Sequence, residues 1–383
     1  MVQVFAFGLM PYMDVPDDIY EKYGSAWVTY PNKNFDPKKG NEYYNDYLDG
    51  LEFCDQLGFD GIVVNEHHQT PYGMMPSPNI MAATLARRTS RAKIAILGNA
   101  LTLRGYPQRV AEEVAMLDVM TGGRIISGFV RGIGAEYHSF KVNPLDSKEI
   151  FYEAHDLIIR AWTEKEPFAF HGKYFQFPYV NVWPRPMQEP HPPIWMPSLG
   201  SKDTIEFAAR NRYVYLQTLS SLKDLQPVFN KFREEANKAG YTASDNQLGW
   251  SVNVYVAETD ELAYKEAEEH LMFYFDKHFV MPRHFFFPPG YVPAASLEQI
   301  MRTKAGLGVP GYFKFQELID KGYVIVGSPE TVRQRVEEIH KELRFGNMNV
   351  HMHFGNMPRW KMMKNIELFG RQVMPFVQQL GSD

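Results

Sequence analysis

Asn65-Glu66-His67-His68 sets a carboxylate and two imidazoles directly after the strand-like run Phe59-Asp60-Gly61-Ile62-Val63-Val64. Such groups cost free energy to desolvate unless something uses them. Imidazole titrates near neutrality, so a histidine pair suits proton handling or metal ligation. Residues two apart on a strand share a face, whereas adjacent ones diverge. His67 and His68 would therefore converge on one ion only where the strand has already ended. His351-Met352-His353 has the convenient spacing, but no carboxylate or lysine ligands on other strands stand ready to join it. Histidines satisfied in the core or at the rim are expected there, and no metal site is expected.

Two further segments suit an anion. Ser198-Leu199-Gly200-Ser201 runs into a helical pattern whose first turn holds Thr204. Small residues let backbone amides approach a ligand, and a helix N-terminus presents unsatisfied N–H groups with partial positive charge, a setting that suits phosphate. Arg131, in Val130-Arg131-Gly132-Ile133-Gly134, can add a charge-assisted hydrogen bond. Each pattern alone is ordinary capping or turn chemistry; together, on adjacent strand ends, they suggest a phosphorylated cofactor. Gly-x-Ser-x-Gly and Gly-x-x-x-x-Gly-Lys are both absent, which argues against serine hydrolysis and nucleotide triphosphate chemistry. Cys54 falls mid-helix, where a buried small hydrophobe is expected.

The elements that must position these residues alternate. Strands are expected at 2–8, 60–65, 93–98, 124–129, 193–196, 212–217, 249–256 and 347–354. Helical patterns lie near 41–57, 78–91, 107–120, 147–163, 201–210, 222–238, 260–277, 329–344 and 360–379. Ser328-Pro329-Glu330 carries a cap, a first-turn proline and an early acid. Eight strand–helix units imply an α/β fold, a (β/α)8 TIM barrel, whose active sites gather at the C-terminal ends of the strands. An open doubly wound sheet would show a Gly-rich loop after its first strand, and none is present. The whole of 1–383 reads as a single barrel domain with insertions. The largest, 278–325, precedes the last strand and contains Phe285-Phe286-Phe287-Pro288-Pro289-Gly290-Tyr291. It reads as a lid over a pocket or a helical excursion packed on the barrel. A second excursion covers 11–40.

Composition narrows the partners. Of 383 residues 45% are hydrophobic, which supports a large core. The net charge of −5, with no Lys/Arg run, disfavours nucleic acid and anionic membranes. One cysteine rules out an intrachain disulfide and fits a reducing compartment. No leader pattern opens the chain, and no apolar run nears the roughly 20 residues of a membrane span. A cytoplasmic location is expected.

Several blocks occur in an order that resembles the bacterial luciferase-like flavin monooxygenases over nearly the whole length. They are Gly58-Phe59-Asp60-Gly61 with Glu66-His67-His68; Leu97-Gly98-Asn99-Ala100-Leu101 with Tyr106-Pro107-Gln108-Arg109; and Ala111 to Asp118 with Thr121-Gly122-Gly123-Arg124. Arg131-Gly132, Val326-Gly327-Ser328-Pro329-Glu330-Thr331-Val332 and Phe354-Gly355-Asn356-Met357-Pro358 follow.

The resemblance implies a barrel binding reduced FMN at its C-terminal mouth, the FMN being supplied by a separate reductase. It implies O2 as co-substrate and monooxygenation of a small to medium apolar substrate (aldehyde, ketone, alkane or aromatic) through a flavin C4a-hydroperoxide. Arg131 and Ser198, Gly200, Ser201 and Thr204 would hold the phosphate. Gly98–Asn99 would lie against the flavin ring, where the family often has a cis peptide. His67 would be the catalytic histidine, with His68 and Glu66 beside it. A homodimer through 78–91 and 107–120 is implied.

Two departures stand out. The residue before the arginine is Val130, where luciferase proper has a reactive cysteine, so light emission is not expected. Ser147-Lys148-Glu149-Ile150 replaces a Ser-Arg-Glu-Arg pattern, so Lys148 or another arginine must compensate for a phosphate ligand. The rivals are a deazaflavin F420-dependent dehydrogenase on the same fold, a non-catalytic flavin-binding relative and, third, a metal hydrolase.

Overall fold

Gly61 opens its strand as a glycine for steric reasons: a Cβ there would fall 2.2 Å from the Phe5 ring. In the computed structural model, which describes residues 1–293, 297, 298, 300 and 306–381, such close approaches let eight parallel strands close on themselves. Eleven strands occur among the described residues, eight of them in the barrel: β1 Gln3–Phe7, β2 Gly61–Val64, β3 Lys93–Ala100, β4 Ile125–Val130, β5 Phe168–His171, β6 Gln176–Val180, β7 Ile194–Ser198, β8 Val214–Gln217, β9 Leu248–Val256, β10 Val324–Gly327 and β11 Asn347–His351. Their order around the barrel is β1-β2-β3-β4-β7-β8-β9-β11, with β11 pairing back onto β1.

The interior is graded along the barrel axis. Phe5, Val63, Ala95, Leu97, Ile126, Trp195 and Leu216 form an apolar plug, in which Phe5 meets Trp195 edge on at 4.8 Å. Asn65 follows β2 and Asn99 is the penultimate residue of β3, and both are buried. Polar side chains thus gather towards the strand ends, where a barrel keeps its active site.

Helices follow the strands, and several of them start on a side-chain cap. Ser77 Oγ accepts from Ile80 N–H at the start of the helix Pro78–Arg88, and Ser328 Oγ accepts from Thr331 N–H at the start of Pro329–Leu343. Asp55 accepts from the N–H groups of Ser90, Arg91 and Ala92 at 2.9, 3.1 and 2.6 Å. One buried carboxylate therefore ties the helix Pro37–Leu57 to the chain entering β3.

Two elements differ from the expected strand list. β5 and β6 form an antiparallel hairpin, and β10 pairs with β9 at Asn253–Val256, beyond the residues by which β9 meets β8. β11 also ends at His351, so His353 lies past the strand.

The excursion at 11–40 and the insertion at 278–325 pack on each other across the mouth. Ala26 N–H donates to the Val280 carbonyl at 3.0 Å, and Trp27 Nε1–H to the His278 carbonyl at 3.1 Å. Phe285 to Pro288 runs directly over Gly134, where a Cβ would fall 2.2 Å from the Phe285 carbonyl oxygen. Within the insertion, 294–296, 299 and 301–305 lie outside the described residues. No helix among the described residues is long and apolar enough to cross a membrane.

Candidate active site

β2 ends at Val64, so Asn65 to His68 leave strand geometry, and the two histidines find different partners. His67 Nδ1 lies 3.3 Å from Glu136 Oε1, while His68 Nε2 lies 2.8 Å from Glu66 Oε1. A carboxylate only accepts, so each contact assigns a proton to the facing ring nitrogen. His67 is further wedged edge on between Trp27 and Tyr72, with ring centres 5.2 and 5.0 Å away. Its Nε2 makes no hydrogen bond among the described residues.

Both carboxylates are fixed from behind, and both side chains are only 1% exposed. Glu136 sits in the first turn of the helix Gly134–Phe140, where its Oε2 accepts the Ile133 N–H at 2.8 Å. Glu66 Oε2 accepts from Arg104 at 2.6 Å and from the Ala100 N–H at 3.1 Å. The second carboxylate thus locks β2 to the end of β3 and holds His68, which packs on Phe140 at 4.5 Å.

β3 and β4 approach backbone to backbone at the mouth. The peptide bond Leu97–Gly98 is cis. A Cβ on Gly98 would meet the Gly128 carbonyl at 2.8 Å, and one on Gly128 would meet the Ile96 oxygen at 2.4 Å. Beside this contact the Asn99 amide is wholly buried, yet neither its nitrogen nor its oxygen has a partner among the described residues; Asn65 Oδ1 is also unpaired among them. Buried polar atoms are normally satisfied, so such groups at a mouth point to a ligand or water that completes them.

Arg131 leaves β4 with its guanidinium already engaged. Nη1 donates to Ser147 Oγ at 3.3 Å and to the Tyr291 carbonyl at 3.2 Å, and the Tyr291 ring lies 4.5 Å beneath the charge. Tyr291 also donates its hydroxyl to the Gly132 carbonyl at 2.8 Å. Next along the rim, Ser198 Oγ accepts from the N–H groups of Gly200 and Ser201 at 3.1 and 3.2 Å. The helix Lys202–Arg210 that follows has no side-chain cap, which leaves the first-turn amides, including that of Thr204, free of one. Lys148 pairs with Asp203 in that same turn at 2.8 Å. The lysine in the Ser147-Lys148-Glu149-Ile150 segment is thus paired with a carboxylate in the first turn of that helix.

The other chemical groups fall elsewhere. His351 stacks on Phe7 at 4.0 Å, and His353 pairs through Nε2 with the Met357 carbonyl at 2.8 Å, so the His-x-His spacing converges on nothing. Among the described residues no group of three or more His, Cys, Asp or Glu is arranged to hold a metal ion. Cys54 is buried, and burial pushes its thiol well above the ordinary range. A cavity of about 430 Å³ lined by Phe168, Val180, Trp183 and Arg185 lies at the hairpin, away from these groups.

Sequence reasoning missed Glu136, Arg104 and Trp27, and it named Ser147 only within the Ser147-Lys148-Glu149-Ile150 pattern, not as a partner of Arg131. Only Glu136 left a signal, as an acid three residues past a helix start, and that pattern reads as a capping box rather than a partner for a histidine 69 positions away.

A family model described as luciferase-like monooxygenase matches residues 26–344. The chain belongs to the luciferase-like monooxygenase family. Among its relatives, 4-hydroxyprotoasukamycin monooxygenase of Streptomyces nodosus subsp. asukaensis is 26% identical over 338 residues, 86% of this chain and 85% of that protein. The oxygenase component of the flavin-dependent trigonelline monooxygenase of Acinetobacter baylyi is 25% identical over 244 residues, 62% of this chain and 66% of that protein. An uncharacterized protein of Sinorhizobium fredii, y4wF, is 34% identical over 176 residues, 45% of this chain and only 51% of that protein.

Two solved structures show the same luciferase-like barrel. One is the oxygenating constituent of 3,6-diketocamphane monooxygenase of Pseudomonas putida in complex with FMN, with a TM-score of 0.72, 19% identity and 98% of each chain covered. The other is an F420-dependent secondary alcohol dehydrogenase, with a TM-score of 0.71, 17% identity, and 98% of this chain and 99% of that one covered. At these identities the likeness speaks for the fold alone.

Proposed function

We propose that this luciferase-like protein is the oxygenase of a two-component, FMN-dependent monooxygenase acting on a small to medium apolar organic substrate. The observation that carries the reading is His67, its Nδ1 held by buried Glu136, at the same mouth as the unpaired amide of Asn99. The residues present fit FMN: Asn99 and Asn65, unpaired among the described residues, suit the ring's polar edge, and Ser198, Gly200, Ser201 and Thr204 stand at an uncapped helix start that suits a phosphate, with Arg131 after the neighbouring strand β4. Reduced FMN, when bound, supplies the electrons that activate O2. A separate reductase delivers it, a reading supported by the trigonelline relative being an oxygenase component.

In this reading His67 moves a proton at Nε2 while Glu136 keeps its ring oriented. Glu66 and His68 support that loop. The described residues 278–291 of the insertion, with Tyr291 over Arg131, cap the mouth of a single barrel domain and keep water from it. Ile80, Met116, Val119 and Met120, all exposed on the helices Pro78–Arg88 and Pro107–Thr121, form the contact of a homodimer.

The test is His67→Ala supplied with reduced FMN and O2. FMN affinity should stay within about threefold, while oxygen uptake is diverted from product to hydrogen peroxide. Unchanged product yield removes His67 from the chemistry. A wild-type protein that consumes no oxygen while reducing or oxidising F420 belongs instead with the dehydrogenases of this fold.

A further inference from the structure

Tyr72 and Tyr274 bring two phenol hydroxyls to 3.0 Å from each other. Tyr72 lies in the loop after His67, and Tyr274 opens a π-helical turn, Tyr274–His278, at the base of the insertion. The rings are 6% and 2% exposed. Around them stand Trp27 at 4.9 Å, His67 at 5.0 Å, Phe275 at 5.0 Å and Phe279 at 5.6 and 6.0 Å between ring centres.

Two hydroxyls carry two hydrogens, and their mutual bond uses one. Neither hydroxyl has another partner among the described residues, so one O–H is left without an acceptor inside an aromatic box. Leaving a buried donor unmade costs about 1–3 kcal/mol. Phenylalanine at both positions would fill the same space without that cost. A group that enters the box and accepts the hydrogen removes it. Burial keeps both phenols neutral at ordinary pH: Tyr72 is pushed up to about 12 and Tyr274 well above its usual value, so the pair stays a donor.

We propose that the Tyr72–Tyr274 pair hydrogen-bonds an oxygen atom of the substrate, and that the substrate is a carbonyl compound, an aldehyde or ketone, rather than a hydrocarbon. An alkane offers no lone pair to the free O–H. A carbonyl oxygen does, and accepting the bond leaves its carbon more electrophilic beside the imidazole of His67. The substrate class rests on the monooxygenase reading; the hydrogen bond does not.

The experiment compares wild type with the double variant Tyr72→Phe/Tyr274→Phe, in which no second hydroxyl can substitute for the first. Cyclohexanone and cyclohexane serve as probes of nearly equal size, and the infrared carbonyl stretch of bound cyclohexanone reads the hydrogen bond. The ketone should bind about tenfold more weakly to the variant, the loss of one hydrogen bond. Cyclohexane should change by less than twofold, and the downshift of the carbonyl stretch should vanish. The variant should melt no lower than wild type. Equal losses for both probes, no spectral change, or a lowered melting temperature would each show that the pair is structural and overturn the proposal. A carbonyl downshift in a protein that consumes no oxygen with reduced FMN would support the hydrogen bond while rejecting the monooxygenase reading.

Discussion

Glu136 stands behind His67: a carboxylate anchored by its own helix start reaches, through its other oxygen, the Nδ1 of an imidazole delivered by the strand two positions away in the barrel. The arrangement fixes one ring nitrogen and leaves the other without a hydrogen-bond partner among the described residues.

Glu136→Gln keeps the shape and a hydrogen-bonding oxygen but removes the charge. Product formed per oxygen consumed should fall about tenfold, because general acid–base contributions of 10²–10⁴ depend on a correctly held imidazole. FMN titration should be unaltered. Glu136→Asp should recover part of the coupling. If Glu136 merely caps its helix, Gln and Asp will affect stability without separating product from peroxide.

Arg131→Ala should weaken binding of oxidised FMN, followed by flavin fluorescence, by about 10–100-fold, as expected for a hydrogen bond to a charged group. Lys148→Ala should cost only a few-fold, since its ammonium is half exposed and already shared with Asp203. Equal effects at the two positions would mean that the phosphate sits nearer the helix Lys202–Arg210 than Arg131.

Gly134→Val places a side chain where the Phe285 and Phe286 carbonyls and Pro288 now lie. The segment over the mouth must then lift. More hydrogen peroxide per oxygen consumed and faster proteolysis within 278–325 are expected, with the barrel's melting temperature little changed. An unaltered cleavage pattern would show that this segment does not act as a cap.

Acid should destabilise the fold before its carboxylates titrate. Burial lowers His278 and His353 to about 4 and His351 to about 3. Their unfolded values lie near 6.5, so below that pH the unfolded chain binds more protons than the folded one, and stability falls as pH drops from about 6.5 towards 4. Each group contributes up to about 1.4 kcal/mol per pH unit in that window. His278, with no exposed surface, gives the cleanest case. Thermal melts between pH 7 and 5 should show a drop of several degrees that is smaller in His278→Gln, and an equal drop in that variant would exclude His278 as a source.

The barrel was legible because its strands are short apolar runs set off by capped helices: Ile62-Val63-Val64, Ile94 to Leu97 and Ser328-Pro329 each announce one element. The hairpin β5–β6 was not, since Phe168 to His171 is only four residues long and has one buried residue among them. β10 hid for another reason. Its four buried residues abut the Ser328 cap and read as the approach to a helix. At the site, Glu66, His67 and Arg131 were visible as unusual residues at strand ends. Their partners were not, because Glu136, Ser147 and Tyr291 meet them only through barrel closure and the path of the insertion, up to 160 positions apart.

The Tyr291 carbonyl on Arg131 has a consequence for how two ligands would sense each other. A phosphate that takes the guanidinium must compete with that carbonyl or join it, so occupancy of the anion site and seating of the segment around Tyr291 share one free-energy balance. By linkage, whatever factor a substrate under that segment applies to FMN affinity, FMN applies to substrate affinity in return. A phosphate that displaces the carbonyl would make each ligand weaken the other, whereas one that joins it on the guanidinium would make each strengthen the other.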